Sequence, residues 1–188
     1  MQMLFATAIV CYALLFGMAG ARASDLAGGV QLPPAASAGT KRLLLNGAGI
    51  GTEMNIVKVY VIGLYLETKT NDERAAITTD QGKRIVLTML RDVSRQKFVQ
   101  AVERGMVRNA GPAIAMLRAR LNRLEQSLPS LQKGNDLDFT YVPGTGTVVR
   151  GQGRQLTIPG KDFADALFSV WLGPKASDTT LKRQLLGG

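Results

Sequence analysis

Two polar-headed side chains, Lys58 and Tyr60, stand two residues apart in an otherwise apolar run from Met54 to Glu67. In an extended chain alternate residues share a face, which groups Lys58 and Tyr60 with Ile56, Ile62, Leu64 and Leu66. An ammonium and a phenol on such a face must either reach solvent or line a cavity, where both can donate to a ligand. Asp136 and Asp138 also share a face if their segment is extended. That spacing fits a carboxylate pair, but the solvent side of an edge strand is the simpler reading. Gly47-x-Gly49-x-Gly51 has the look of a phosphate loop, yet Thr52 takes the sixth position and a strand, not a helix, follows. Without a helix N-terminus the anion site fails, so this cluster and Thr145-Gly146-Thr147 read as turns. Histidine is absent, which excludes imidazole as base, metal ligand or pH switch. Neither a metal cluster nor a cofactor motif is evident.

The chain that positions these residues is 188 long, 46% apolar and 20% charged, as suits one globular domain. Met3 to Ala19 is apolar apart from Thr7 and Tyr12 and leads to Ala21-Arg22-Ala23, an A-x-A cleavage pattern. Residues 1–23 therefore read as a signal peptide, with a periplasmic or secreted mature chain starting at Ser24. The alternative is an uncleaved leader that anchors the protein in the membrane, because no Lys or Arg precedes the run. The one cysteine, Cys11, lies in the leader. Residues 24–40, rich in Gly, Ala and Pro, read as a flexible lead-in, and 41–188 as the domain.

The formal net charge is +9, and eight basic residues fall between Arg91 and Arg123. They are Arg91, Arg95, Lys97, Arg104, Arg108, Arg118, Arg120 and Arg123, set against only Asp92 and Glu103. On predicted helices they read as a solvated face; no aromatics alternate with them to stack bases, which argues against nucleic acid. Contact with an anionic membrane surface or an acidic ligand is the other reading.

Strands are predicted at Arg42 to Leu45, Met54 to Glu67, Arg84 to Leu90, Asp136 to Tyr141, Thr147 to Arg150 and Arg154 to Ile158. Asn71-Asp72 caps a short helix through Ile77. Ser94 caps a longer one, carrying Phe98, Ala101, Val102, Gly105 and Asn109 on one side and ending at Gly111-Pro112. Ile114, Leu117, Leu121, Leu124 and Leu128 form the apolar stripe of the next, and helices over Asp162 to Leu172 and Thr179 to Leu186 follow. Strands and helices do not alternate as βαβ units, so the fold class is α+β, an antiparallel sheet covered by helices.

Leu44-Leu-Asn-Gly-Ala-Gly-Ile-Gly51 followed by Lys58-Val-Tyr-Val-Ile-Gly-Leu-Tyr-Leu-Glu67 resembles the opening strands of the chalcone isomerase family. Leu90-Arg-Asp-Val-Ser94, Tyr141-Val-Pro-Gly-Thr-Gly-Thr147, Ile158-Pro-Gly160 and Trp171-Leu-Gly-Pro174 with Leu181-Lys182-Arg183 resemble its exported bacterial members in the same order. The resemblance covers about residues 41 to 187. It implies an open-faced β-sandwich, a large antiparallel sheet packed against a layer of helices, with a ligand cleft between them.

That fold hosts isomerases and non-catalytic fatty-acid-binding proteins, so function rests on the site. The resemblance implies a catalytic arginine after the Gly-Ala-Gly turn, where this chain has Gly51, and a strand threonine, where it has Tyr60. The implied tyrosine and asparagine become Phe98 and Gly105, and the threonine-methionine pair becomes Val170-Trp171. No catalytic position is kept. The reading is a non-catalytic periplasmic protein that binds an apolar small molecule such as a fatty acid. Phe98, Val170 and Trp171 would form its apolar wall, and Tyr60 and Lys58 would hold the ligand's head. The alternatives are an intramolecular lyase acting on chalcone-like substrates, with Tyr60 as proton donor, and an interaction protein whose basic helical face docks on anionic lipid or an acidic partner. The oligomeric state is left open.

Overall fold

The computed structural model describes residues 24–26, 29–53 and 56–188, the first three by backbone alone. The leader, with its cleavage pattern, lies outside the described residues. Among those described, no helix is long and apolar enough to cross a membrane.

Seven antiparallel strands form the main sheet in sequence order: β3 (Ala35–Ala38), β4 (Lys41–Glu53), β5 (Val57–Leu66), β6 (Lys83–Met89), β7 (Asp136–Val142), β8 (Gly146–Gly151) and β9 (Arg154–Ile158). Before them β1 (Ser24–Leu26) and β2 (Val30–Leu32) pair as a separate two-stranded ribbon. Helices α1 (Glu73–Thr78), α2 (Arg95–Ala110), α3 (Ile114–Ser127), α4 (Lys161–Leu172) and α5 (Thr179–Leu185) complete the chain, with a 3-10 turn at Gly111–Ala113 between α2 and α3. The α+β layering read from the sequence is what the structure has.

Local chemistry explains the helix ends. Asp72 accepts from the Ala75 amide at 2.7 Å to cap α1, and Ser94 accepts from the Lys97 amide to cap α2. Gly111, at φ 55, ends α2, and Pro112 stops it from continuing. Leu117, Leu121 and Leu124 turn one face of α3 into the core. Helix α4 is apolar nearly all round, because it contacts α1, α2, α5 and β8. Its Phe163, Leu167, Phe168 and Leu172 are fully buried, each side chain contributing roughly 1.5–3 kcal/mol by leaving water. On the sheet, Ile62, Leu64, Leu66, Ile85 and Leu87 face these helices, while Tyr65 and Leu43 build a smaller cluster with Ala38 on the other side.

Several expectations need correction. Gly47 to Gly51 is not a turn; it lies within β4, which continues to Glu53 with register shifts after Leu45 and Gly51. The glycines serve close approach, since a Cβ at Gly47 would strike the carbonyl oxygens of Gln184 and Leu185, where the last turn of α5 lies on the strand. Residues 24–40, read as a lead-in, hold β1, β2 and the edge strand β3. Ala35-Ala-Ser-Ala38 has too little side chain to register as a strand, and its pairing to β4 is made by the main chain. Asp136 and Asp138 are not on an edge, because β7 runs between β6 and β8. Asp138 is buried, 2.5 Å from the Arg84 guanidinium, and accepts from the Thr140 hydroxyl at 2.6 Å. Burial pushes its carboxyl up, against the pull of Thr140 and Arg84.

Lys83, the first residue of β6, is also fully buried. Its ammonium donates to the Ile77 carbonyl, sits 3.9 Å from Asp165, and lies over the rings of Tyr141 and Phe168 at 5.7 and 5.9 Å. Burial pushes the ammonium down to about 8; Lys161 adds to that fall, and Asp165 and Asp80 oppose it.

Candidate functional site

Where the end of the β4–β5 ladder meets α2 and the α4–α5 connection, the layers part around a cavity of about 430 Å³. Its buried lining comes from Gly51 of β4, Phe98 and Val102 of α2, Trp171 of α4 and Leu181 of α5. Val59, Tyr60, Val93 and Val170 are half-buried around them. That volume is within the usual range of small-molecule sites.

Each wall is held by an identifiable contact. The β6–α2 connection is pinned by reciprocal main-chain bonds between Val93 and Leu131, at 2.7 and 3.0 Å. Arg95 ties the start of α2 to the end of α3 through the carbonyls of Leu128 and Glu125. Asp178 caps α5 by accepting from the Leu181 amide at 2.8 Å, and Thr52 donates to the other oxygen of the same carboxylate at 3.5 Å. The α4 end is fixed by Trp171, whose indole N–H donates to the Tyr60 hydroxyl at 3.1 Å and whose ring lies 5.8 Å from that of Phe139.

Gly51 and Tyr60 are direct cross-strand partners, and the phenol end of the Tyr60 ring occupies the space in front of the glycine. A Cβ at position 51 would sit within the ring's carbon atoms. The space from which an arginine would emerge is therefore filled by the phenol. Burial pushes the Tyr60 hydroxyl up; the Trp171 bond works against this and Asp178 adds to it. Tyr60 is thus a neutral phenol at ordinary pH, able to donate a proton to a ligand oxygen but not to act as a base.

Five of the seven residues singled out from the sequence line the cavity: Gly51, Tyr60, Phe98, Val170 and Trp171. Gly105 sits just behind it, where a Cβ would press on the Val170 methyls at 2.7 Å. Lys58 does not line it. The register shift between the Gly51–Tyr60 and Thr52–Lys58 pairs leaves Val59 as an extra residue and breaks the alternation that put Lys58 on the face of Tyr60, and Lys58 is exposed at the sheet end. Ala101, placed on the core side of α2, is exposed and borders the cavity instead.

The basic cluster divides in a way the sequence did not indicate. Arg118 pairs with Glu103 at 2.7 Å, Arg120 with Asp162 at 2.6 Å, and Arg95 is taken up by carbonyls. Arg91, Lys97, Arg104 and Arg108 instead rim the cavity, and their side chains make neither ion pair nor hydrogen bond among the described residues. Lys97, Ala101, Arg104 and Arg108 recur at spacings of four, three and four, one helix face. That spacing, flanking the buried stripe of Phe98, Val102 and Met106, was the signal available beforehand. Among the described residues no group of three or more Asp, Glu, His or Cys could hold a metal ion.

The sequence matches a protein family described as chalcone isomerase-like over residues 24–187. No curated protein matches it. Among solved structures it is similar to an Arabidopsis thaliana fatty-acid binding protein, with a TM-score of 0.62 and 14% identity over 84% of this chain and 92% of that one. At that identity the likeness is one of fold.

Proposed function

The chain belongs to the chalcone isomerase-like family, and from that premise we propose that it is a non-catalytic, exported protein that binds a fatty-acid-like molecule between sheet and helices. The observation that carries this reading is the cavity itself, whose buried lining of Phe98, Val102, Trp171 and Leu181 suits a hydrocarbon chain. The plant structure of the same fold is described as a fatty-acid binding protein, which agrees with the space available. Isomerase chemistry needs an electrophile for the developing oxyanion. Tyr60 covers Gly51, and the cavity's cations are all at its exposed rim. Export rests on the Ala21-Arg22-Ala23 cleavage pattern after an apolar leader.

The protein contains one tryptophan, and it lines the cavity, so its fluorescence reports occupancy directly. Protein purified from the periplasm, compared by native and denaturing mass spectrometry and then titrated with dodecanoate, is expected to show a bound apolar acid or a saturable change in Trp171 emission. Ala101→Phe, which fills the cavity from α2, is expected to abolish that change. If the wild type gives neither response, or if A101F titrates like the wild type, the proposed site is wrong.

A further inference from the structure

We infer that an amphiphilic ligand enters this cavity tail first and leaves an anionic head at the rim, held by Arg91, Lys97, Arg104 and Arg108, with no charged group of the ligand reaching Tyr60. The inference rests on the binding function proposed above and adds the orientation and the class of ligand: a single-chain amphiphile with a carboxylate or phosphate head.

The buried end of the cavity cannot hold an ionised head. Its polar groups are the Tyr60 and Thr52 hydroxyls and the Trp171 N–H; the indole is already donated to Tyr60 and the Thr52 hydroxyl to Asp178. Lys58 lies outside, position 51 has no side chain, and the nearby Asp178 carboxylate makes the potential there less hospitable to an anion. An ionised carboxylate placed beside Tyr60 would lose its hydration with no cation to compensate it.

The rim has the opposite character. Three of its cations lie along one face of α2, between positions 97 and 108, and Arg91 approaches from the β6–α2 connection. At about 1.5 Å per residue the stripe runs for about 16 Å along the opening. Two of the three carboxylates that also border the cavity are engaged, Asp178 at the α5 cap and at Thr52, and Asp92 with the Lys133 amide at 2.8 Å. Glu53 is exposed at the strand end. The cations are thus left with hydrogen-bonding capacity that the carboxylates mostly lack, and guanidinium groups match carboxylate and phosphate oxygens in pairs.

The test compares dodecanoate, dodecyl phosphate and uncharged dodecanol by Trp171 fluorescence, at low and high salt and below their aggregation thresholds. The proteins are wild type, the triple variant Lys97→Gln/Arg104→Gln/Arg108→Gln, and Tyr60→Phe. Wild type is expected to prefer the two anions over dodecanol by about tenfold or more, as charge-assisted contacts allow, and salt is expected to erode that preference. The triple variant is expected to remove it without changing dodecanol affinity, and Tyr60→Phe to leave the ratio of dodecanoate to dodecanol affinity within about twofold, since a neutral hydroxyl adds little to that ratio where no charge sits. If dodecanol binds wild type as tightly as dodecanoate, if salt leaves the preference intact, or if Tyr60→Phe removes it, the head lies inside and the orientation is overturned while binding stands. If none of the three probes binds wild type, the binding function falls and this inference with it. The salt series on wild type decides the matter even if the triple variant does not fold.

Discussion

Lys83 makes stability depend on pH in an unusual direction. The folded protein releases the Lys83 proton at about 8, whereas the ordinary lysine value is 10.5. Between those values the unfolded chain binds more protons than the folded one, so unfolding becomes harder as pH rises. At about 1.4 kcal/mol per pH unit, the buried ammonium makes the neutral-pH fold about 3 kcal/mol weaker than an unperturbed lysine would. Most of that is recovered by pH 10, an expected gain of about 2–3 kcal/mol. As pH 10 is approached the trend begins to reverse, because burial pushes Tyr65 up to about 12 and raises Tyr60 and Tyr141 as well, so the unfolded chain loses those protons first. Urea unfolding followed by Trp171 fluorescence at pH 7, 8, 9 and 10 measures the rise. Lys83→Met, which keeps the stem against Tyr141 and Phe168, is expected to flatten it and to be neutral or stabilising at pH 7. A wild-type stability that stays level or falls from pH 8 to 10, or a slope that survives in K83M, would refute the assignment.

Gly51→Ala is expected to displace the Tyr60 ring and break its bond with Trp171, destabilising the fold by about 1–3 kcal/mol. Combined with Tyr60→Ala, most of that penalty is expected to vanish in a denaturation-based double-mutant cycle, and full additivity would contradict the close packing described here. Arg84→Met leaves Asp138 buried without its cation, an expected loss of about 3–5 kcal/mol at pH 7. The deficit should shrink in acid, where the carboxyl, already raised by burial, is neutral; a deficit independent of pH would count against the ion pair as its source.

The elements that announce their own ends were legible. Asp72 and Ser94 are caps wherever they are read, and Gly111-Pro112 stops a helix by backbone chemistry alone. Hairpins β7 to β9 follow from Pro143-Gly144 and Gly151-Gln152-Gly153. What failed to show depends on a distant neighbour. A glycine reads alike whether the chain turns there or another element presses on it, so Gly47 and Gly51 looked like a loop. Strict alternation puts Lys58 beside Tyr60, but a bulge at Val59, which sequence periodicity does not reveal, breaks that alternation. Lys83 at the head of a strand gives no hint that α1 and α4 close over it, and the charges of α2 resemble any solvated face until the cavity beside them is known. Tyr60 is singled out by strand periodicity and by the family resemblance, Phe98 by helix periodicity and the resemblance, and Val170 and Trp171 by the resemblance alone.

The last turn of α5 lies on β4, with the Asn46 amide donating to the Leu185 carbonyl across 139 positions of sequence at 2.8 Å. Synthesis delivers β4 early and α5 late, and contacts so far apart in the chain form slowly. The cavity wall supplied by Asp178 and Leu181 is therefore the last part of the site to be synthesised. Until then Gly47 and Gly49 present a bare strip of strand with no side chains to shield it, and a nascent chain stalled before residue 178 would lack the wall that closes the ligand site.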